Sequence, residues 1–165
     1  MKSATSRIPA ARSAARIILA AALLAGAIGV LGTGPAAAGP VGINGYGGWY
    51  DGETLMLGGG ALIGLAGITV NPNFEYYFVD SGTAYSLNLD GTMTVIPAAV
   101  ASAWLGAGMG FATVDPEVGD TNTETVFNLL AGAGLNAIPL KPYIQFKYVV
   151  QDGDDPVVVS IGARF

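Results

Sequence analysis

The clearest pattern along the chain is an alternation of apolar and polar positions. In the segment "YIQFKYVV", residues 143–150, every second side chain is a large apolar one, and Lys147 is among the polar side chains between them. The segment "AYSLNLDGTMTV", residues 84–95, alternates in the same way, with Asp90 on its polar side. A period of two residues places the two sets on opposite faces of a β-strand. Both segments are therefore predicted to be strands.

The same alternation recurs in about eight segments after residue 38, and clusters of turn-forming residues separate them. No stretch of this region shows the 3.6-residue period of an amphipathic helix. Eight strands of roughly ten residues, with no helix to cover a sheet, predict an all-β fold, a closed antiparallel up-and-down barrel. The predicted strands are Val41–Tyr50, Leu55–Leu65, Ile68–Val79, Ala84–Val95, Ala101–Val114, Thr123–Leu135, Lys141–Val150 and Pro156–Phe165.

The two faces of these strands indicate which side lines the lumen. One face carries more large apolar side chains than the interior of an eight-stranded barrel can hold. The other combines many glycines with Glu75, Asp90, Lys147 and Arg164, which we predict to form a charge network in the lumen. Apolar outside and polar inside is the arrangement of a transmembrane β-barrel. The alternative from another class is a soluble periplasmic ligand-binding barrel of lipocalin type, with Lys147 in water.

The connections between the predicted strands fall into two classes. Those after the first, third, fifth and seventh strands contain nine of the twelve carboxylates, and those after the second, fourth and sixth contain none. Odd and even connections of an up-and-down barrel lie at opposite rims, so one rim is predicted to be acidic. With a periplasmic N-terminus, this acidic rim is predicted to face outside the cell. Aromatic residues of the apolar face near that rim are predicted to form an outer girdle: Trp49, Phe78, Tyr85, Phe111, Phe127 and Tyr148.

The N-terminal region has the composition of an export signal. Four basic residues precede an uninterrupted apolar run at residues 17–31, and small residues up to Ala38 follow it. This order predicts a signal peptide over residues 1–38, cleaved near Ala38, and a barrel domain over residues 39–165. A transmembrane anchor is the alternative, but the apolar run is shorter than the roughly 18–20 residues that a spanning helix needs.

The composition excludes several classes of function. After residue 38, three cations stand against twelve carboxylates, which argues against binding to the phosphates of nucleic acid. The chain has no Cys and no His, so thiol chemistry and the commonest general base and metal ligand are absent. We expect no enzymatic activity and no cofactor. Asp152, Asp154 and Asp155 are candidates for a metal site, since carboxylate oxygens bind Ca²⁺ and Mg²⁺. They are weak candidates, because the stretch "DGDD" that contains them is too short for an EF-hand loop.

The glycine-rich stretches "GAGMG" and "AGAG" are not a dinucleotide fingerprint, since neither a helix nor a βαβ unit is predicted beside them. On the lumen face they predict a narrow interior in which large side chains lie beside glycines. If the hairpin of the fifth and sixth strands pivots near Gly119, Trp104 is expected to face Gly134. If the first hairpin pivots near Glu53, Tyr46 is expected to face Gly60. A ligand cavity or a pore opened by the glycines is the functional alternative.

With the signal peptide and the alternating strands, the segments "WLGAGMGF", "NLLAGAGL", "KPYIQFKY" and the closing "VVVSIGARF" resemble the small outer-membrane β-barrel domain proteins, the OmpA/OmpX-like group. The resemblance covers residues 39–165. It implies that Phe165 is an assembly signal read by the barrel-assembly machinery. It also implies contact with outer-membrane lipid and lipopolysaccharide. Larger relatives carry a peptidoglycan-binding domain after the barrel, which this sequence lacks, so wall anchoring is not expected.

These features together predict a structural outer-membrane β-barrel protein, monomeric, with a polar lumen filled by its own side chains and short acidic extracellular loops. Within the membrane class the alternative is a narrow channel for small or hydrophobic solutes.

Overall fold

The structure is a computed structural model that describes residues 38–165. The predicted signal peptide lies outside the described residues, except for Ala38, the first residue of the first strand. The predicted all-β fold of eight strands is confirmed, and every strand end lies within three residues of its predicted position. The strands are β1 (Ala38–Tyr50), β2 (Thr54–Leu65), β3 (Ile68–Tyr77), β4 (Thr83–Pro97), β5 (Ala101–Asp115), β6 (Asn122–Leu135), β7 (Pro142–Val150) and β8 (Val157–Arg164). Within residues 38–165 there is no helix that is long and apolar enough to cross a membrane.

The sheet closes into a barrel because β1 pairs antiparallel with both β2 and β8. The β1–β8 ladder reaches Tyr50 opposite Val158 at one end. Past its other end, the Phe165 N–H donates to the Ile43 carbonyl at 2.9 Å, and the Ile43 N–H donates to the Phe165 carbonyl at 3.2 Å. The backbone of Phe165 therefore continues the closing seam, while its ring is exposed on the outside of the barrel.

The connections form two rims with different charge. We call the connections after β1, β3, β5 and β7 the outer rim (residues 51–53, 78–82, 116–121 and 151–156). Those after β2, β4 and β6 form the inner rim (residues 66–67, 98–100 and 136–141). The outer-rim connections contain eight carboxylates, whereas the inner-rim connections contain none and include Lys141. One end of the barrel is thus acidic, and the charged residue at the other end is a cation.

The β1–β2 hairpin shows how turn geometry sets the register. Asp51 and Gly52 both have positive φ, 52° and 76°. Two successive residues of this kind match the right-handed twist of a tight hairpin. The turn is centred on Gly52, so Tyr46 lies opposite Gly58. The predicted partner of Tyr46, Gly60, was wrong by two positions, because moving a hairpin centre by one residue moves every opposed pair by two.

The same kind of shift occurs between β5 and β6. Trp104 lies opposite Gly132, so the predicted partner Gly134 was also wrong by two positions. In both hairpins the parity was right, because a shift of two residues keeps a side chain on the same face of the sheet.

The interior and exterior of the barrel have opposite character. Leu87 and Phe146 are 54% and 49% exposed on the outside, whereas Lys147, the next residue along β7, is 3% exposed inside. The soluble ligand-binding alternative required the reverse and is therefore wrong. An apolar exterior around a polar interior is the facing that a barrel needs in lipid.

Candidate functional site

The lumen is the candidate functional site because it contains the buried polar residues of the barrel. From the outer rim inward it holds a cavity, a cluster of hydrogen-bonded polar side chains, a stack of aromatic rings with a cation, and a second cavity. Each of these layers combines side chains from several strands, since alternate residues of every strand point inward.

Glu75 is the centre of the polar cluster. Its carboxylate accepts hydrogen bonds from the hydroxyls of Tyr77 at 2.7 Å and of Tyr46 and Ser86 at 3.1 Å each. It also forms an ion pair with Lys147. Glu75 is 2% exposed. A charge buried to this degree is tolerated when it is both paired and hydrogen-bonded, and Glu75 satisfies both conditions.

Asparagine side chains link this ion pair to a second buried acid, Asp90. The Asp90 carboxylate accepts from Asn73 Nδ2 at 2.8 Å and from Asn128 Nδ2 at 3.0 Å. Asn128 Nδ2 also donates to Asn88 Oδ1 at 3.1 Å. Asn73 Oδ1 in turn accepts from the Tyr46 hydroxyl at 3.1 Å. One network therefore ties together β1, β3, β4, β6 and β7 across the lumen.

Arg164 does not belong to this network. Its guanidinium carbon lies 3.8 Å from the ring centroid of Trp104 and 4.9 Å from that of Tyr143. The two rings meet edge to face at 5.8 Å. Among the described residues, Arg164 Nε has no hydrogen-bond partner. The predicted network of four lumen charges is thus divided, with Arg164 held by cation–π contacts nearer the inner rim.

Aromatic rings of the lumen lie directly on strand glycines. A Cβ atom built on any of these glycines would lie 2.4–2.6 Å from the ring, a distance that real Cβ atoms essentially never show. Only glycine therefore leaves room for the ring, and the rings cover bare backbone. The pairs are Tyr46 on Gly58, Trp104 on Gly132 and Tyr143 on Gly162. At these three positions the glycines make room for filling side chains.

The two ends of the lumen each contain a cavity. The outer cavity, about 320 Å³, has Asn88, Asn128 and Lys147 in its lining. The inner cavity, about 970 Å³, is lined partly by Arg164. No residue lines both cavities, and the cluster around Glu75 and the aromatic stack lie between them.

The residues predicted for the outer girdle lie on outward-facing positions at or near the outer ends of their strands. Four of them are clearly exposed: Trp49, Phe78, Phe111 and Tyr148. Tyr85 and Phe127 are half-buried, and the Tyr85 ring lies 6.0 Å from that of Phe74. The Tyr148 hydroxyl donates to the Asp155 carboxylate at 2.8 Å. A band of aromatic side chains thus surrounds the barrel below the acidic rim.

The weak metal candidates Asp152, Asp154 and Asp155 do not form a site. Over residues 38–165, no group of three His, Cys, Asp or Glu side chains is close enough to hold a metal ion.

The lumen residues missed from the sequence include Asn73, Tyr77 and Glu124. Tyr77 lies two residues after Glu75, and Glu124 lies four residues before Asn128, so the parity of each strand could have placed both inside. Glu124 lines the outer cavity and accepts a hydrogen bond from Asn122 Nδ2 at 2.7 Å.

Comparison with solved structures shows the same fold in transmembrane barrels. The N-terminal β-barrel domain of Pseudomonas aeruginosa OprF matches with a TM-score of 0.64 and 14% identity, over 76% of this chain and 96% of that chain. Neisserial surface protein A matches with a TM-score of 0.56 and 14% identity, over 75% and 94%. A de novo designed transmembrane β-barrel matches with a TM-score of 0.56 and 13% identity, over 78% and 98%.

No protein-family model and no curated protein matches the sequence. At these identities the likeness to solved structures concerns the fold, an eight-stranded transmembrane β-barrel. The resemblance to small outer-membrane barrels is confirmed at that level.

Proposed function

We propose that this protein is a structural component of the bacterial outer membrane whose barrel is closed by its own side chains. The observation that carries the proposal is the network around Glu75, which crosses the lumen between the two cavities. A channel would need a path through these buried hydrogen bonds. Catalysis by the paired acids is disfavoured as well, because the carboxylates of Glu75 and Asp90 are both engaged in the network.

A periplasmic N-terminus, as in even-stranded outer-membrane barrels, supports one orientation, because it places the connections after β1, β3, β5 and β7 outside the cell. The acidic outer rim would face the outside of the cell, next to lipopolysaccharide, and the inner rim would face the periplasm. The aromatic band would lie at the outer lipid–water interface, and lipid would cover the apolar exterior. Because like-charged rims repel each other, we propose that the barrel is a monomer.

Location and assembly can be tested with Phe165. Wild type is expected in the outer-membrane fraction, with a band that shifts on boiling before SDS gel electrophoresis, as a closed barrel requires. If the barrel-assembly machinery reads Phe165, Phe165→Ser should leave most of the protein unfolded outside that fraction. Phe111→Ser, at an outward-facing and similarly exposed position of β5, is the control and should assemble. Equal assembly of both variants would refute the assembly role. A soluble wild-type band would refute the location.

Closure of the lumen can be tested by electrical recording in planar bilayers. Wild type should give no discrete conductance steps, because buried side chains fill the lumen between its cavities. Removing two filling rings in Tyr46→Ala/Trp104→Ala should produce steps. Trp49→Ala, which removes a ring from the exterior, should stay silent. Discrete steps from the wild-type protein would overturn the closed barrel in favour of a narrow channel.

A further inference from the structure

The outer cavity has the shape and lining of a small binding site. Val126 and Val149 contribute apolar walls. Tyr50 and Tyr77 also line it, with ring centroids 5.0 Å apart and the rings edge to face at 72°. A volume of about 320 Å³ with mainly apolar walls and a few polar groups is typical of a site for a small molecule.

The charge of this cavity selects for a cation. Glu124 and Asp152 lie in its lining, close to the acidic outer rim. The cation in the lining, Lys147, is already neutralised by its ion pair with Glu75, and Asp90 lies behind it in the same network. Carboxylates in the lining of a cavity concentrate positively charged solutes there. The Tyr50 and Tyr77 rings add surfaces that attract an organic cation.

From the volume of the cavity, its two lining carboxylates and its tyrosine rings, we infer that the outer cavity binds a small organic cation of the quaternary-ammonium class. The cationic group lies near Glu124 and the tyrosine rings, far from Lys147. This site lies outside the closed part of the lumen, so it does not require a conducting barrel.

The test uses choline as the probe, with the folded protein in a maltoside detergent that carries no charge. Titration calorimetry should show saturable binding to wild type. The neutral isostere 3,3-dimethyl-1-butanol, which keeps the hydroxyl and the shape, should bind at least about tenfold more weakly, because it lacks the charge that the carboxylates and rings recognise. Equal affinity for the two compounds, or no saturable binding of choline, would overturn the inference.

Variants locate the site. Glu124→Gln keeps the acceptor for Asn122 and removes the charge, so choline binding should weaken about fivefold or more. Val126→Phe fills the cavity and should abolish binding. Asp120→Asn removes a rim carboxylate that does not line the cavity and should leave the affinity within about twofold. Unboiled gel mobility checks that each variant is folded. Binding that survives Val126→Phe in a folded barrel would place choline elsewhere and refute the site.

Discussion

Replacing Lys147 with Met is expected to lower the free energy of unfolding by about 3–5 kcal/mol, because the change leaves Glu75 charged, buried and without its ion-pair partner. The three hydroxyls on Glu75 would still donate to it, but they carry no compensating charge. Asp90, a second acid of the same network, would add repulsion. Urea unfolding in lipid vesicles, followed by tryptophan fluorescence and unboiled gel mobility, measures the loss.

The same substitution at Lys141, on the inner rim, is the matched control and should cost less than about 1 kcal/mol, as solvated charges usually do. Adding Glu75→Gln to Lys147→Met should recover more than half of the loss, since Gln keeps an acceptor for the tyrosines without the charge. If Lys147→Met costs no more than Lys141→Met, the ion pair does not hold the lumen together, and the closed-barrel proposal loses its main support.

The sequence was sufficient to predict which residues face the lumen, because the rule that decides facing is local. A two-residue period depends only on the strand itself, so Glu75, Asp90 and Lys147 could be placed inside without any knowledge of their partners. The same period assigned the apolar side chains to the exterior and the polar ones to the interior. This facing distinguishes a membrane barrel from a soluble one.

The height of a residue along the barrel could not be predicted in the same way. Height depends on where each hairpin turns and on the stagger between strands, which are set by backbone geometry around the whole barrel. Arg164 and Lys147 both have lumen parity, but Lys147 lies opposite Val158 of β8, six residues before Arg164. The two cations therefore lie in different layers of the lumen, Lys147 in the network around Glu75 and Arg164 against the aromatic rings. The pairs of Tyr46 and Trp104 with glycines were displaced for the same reason.

Inserting a charge on the exterior should show whether lipid covers it. Leu89 lies near the middle of β4 and is 52% exposed, and Leu55 lies beside the outer rim and is 47% exposed. In a membrane barrel, Leu89→Arg should lower the free energy of unfolding in vesicles by about 2–4 kcal/mol, because the guanidinium enters the hydrocarbon core. Leu55→Arg should cost about 0–1 kcal/mol, because its charge reaches the interface.

The comparison of the two variants is informative because the residue type, the substitution and the exposure are matched, and only the depth differs. On a soluble barrel both positions would face water, and surface substitutions of this kind usually change stability by less than about 0.5 kcal/mol. Unfolding free energies from vesicles, with the urea dependence unchanged between variants, provide the measurement. A cost that is equal at both positions would mean that no hydrocarbon layer surrounds the middle of the barrel. A cost confined to Leu89 would place the hydrocarbon layer around Leu89, which is the neighbour of Asp90 in β4, so lipid would surround the wall at the level of the charged lumen.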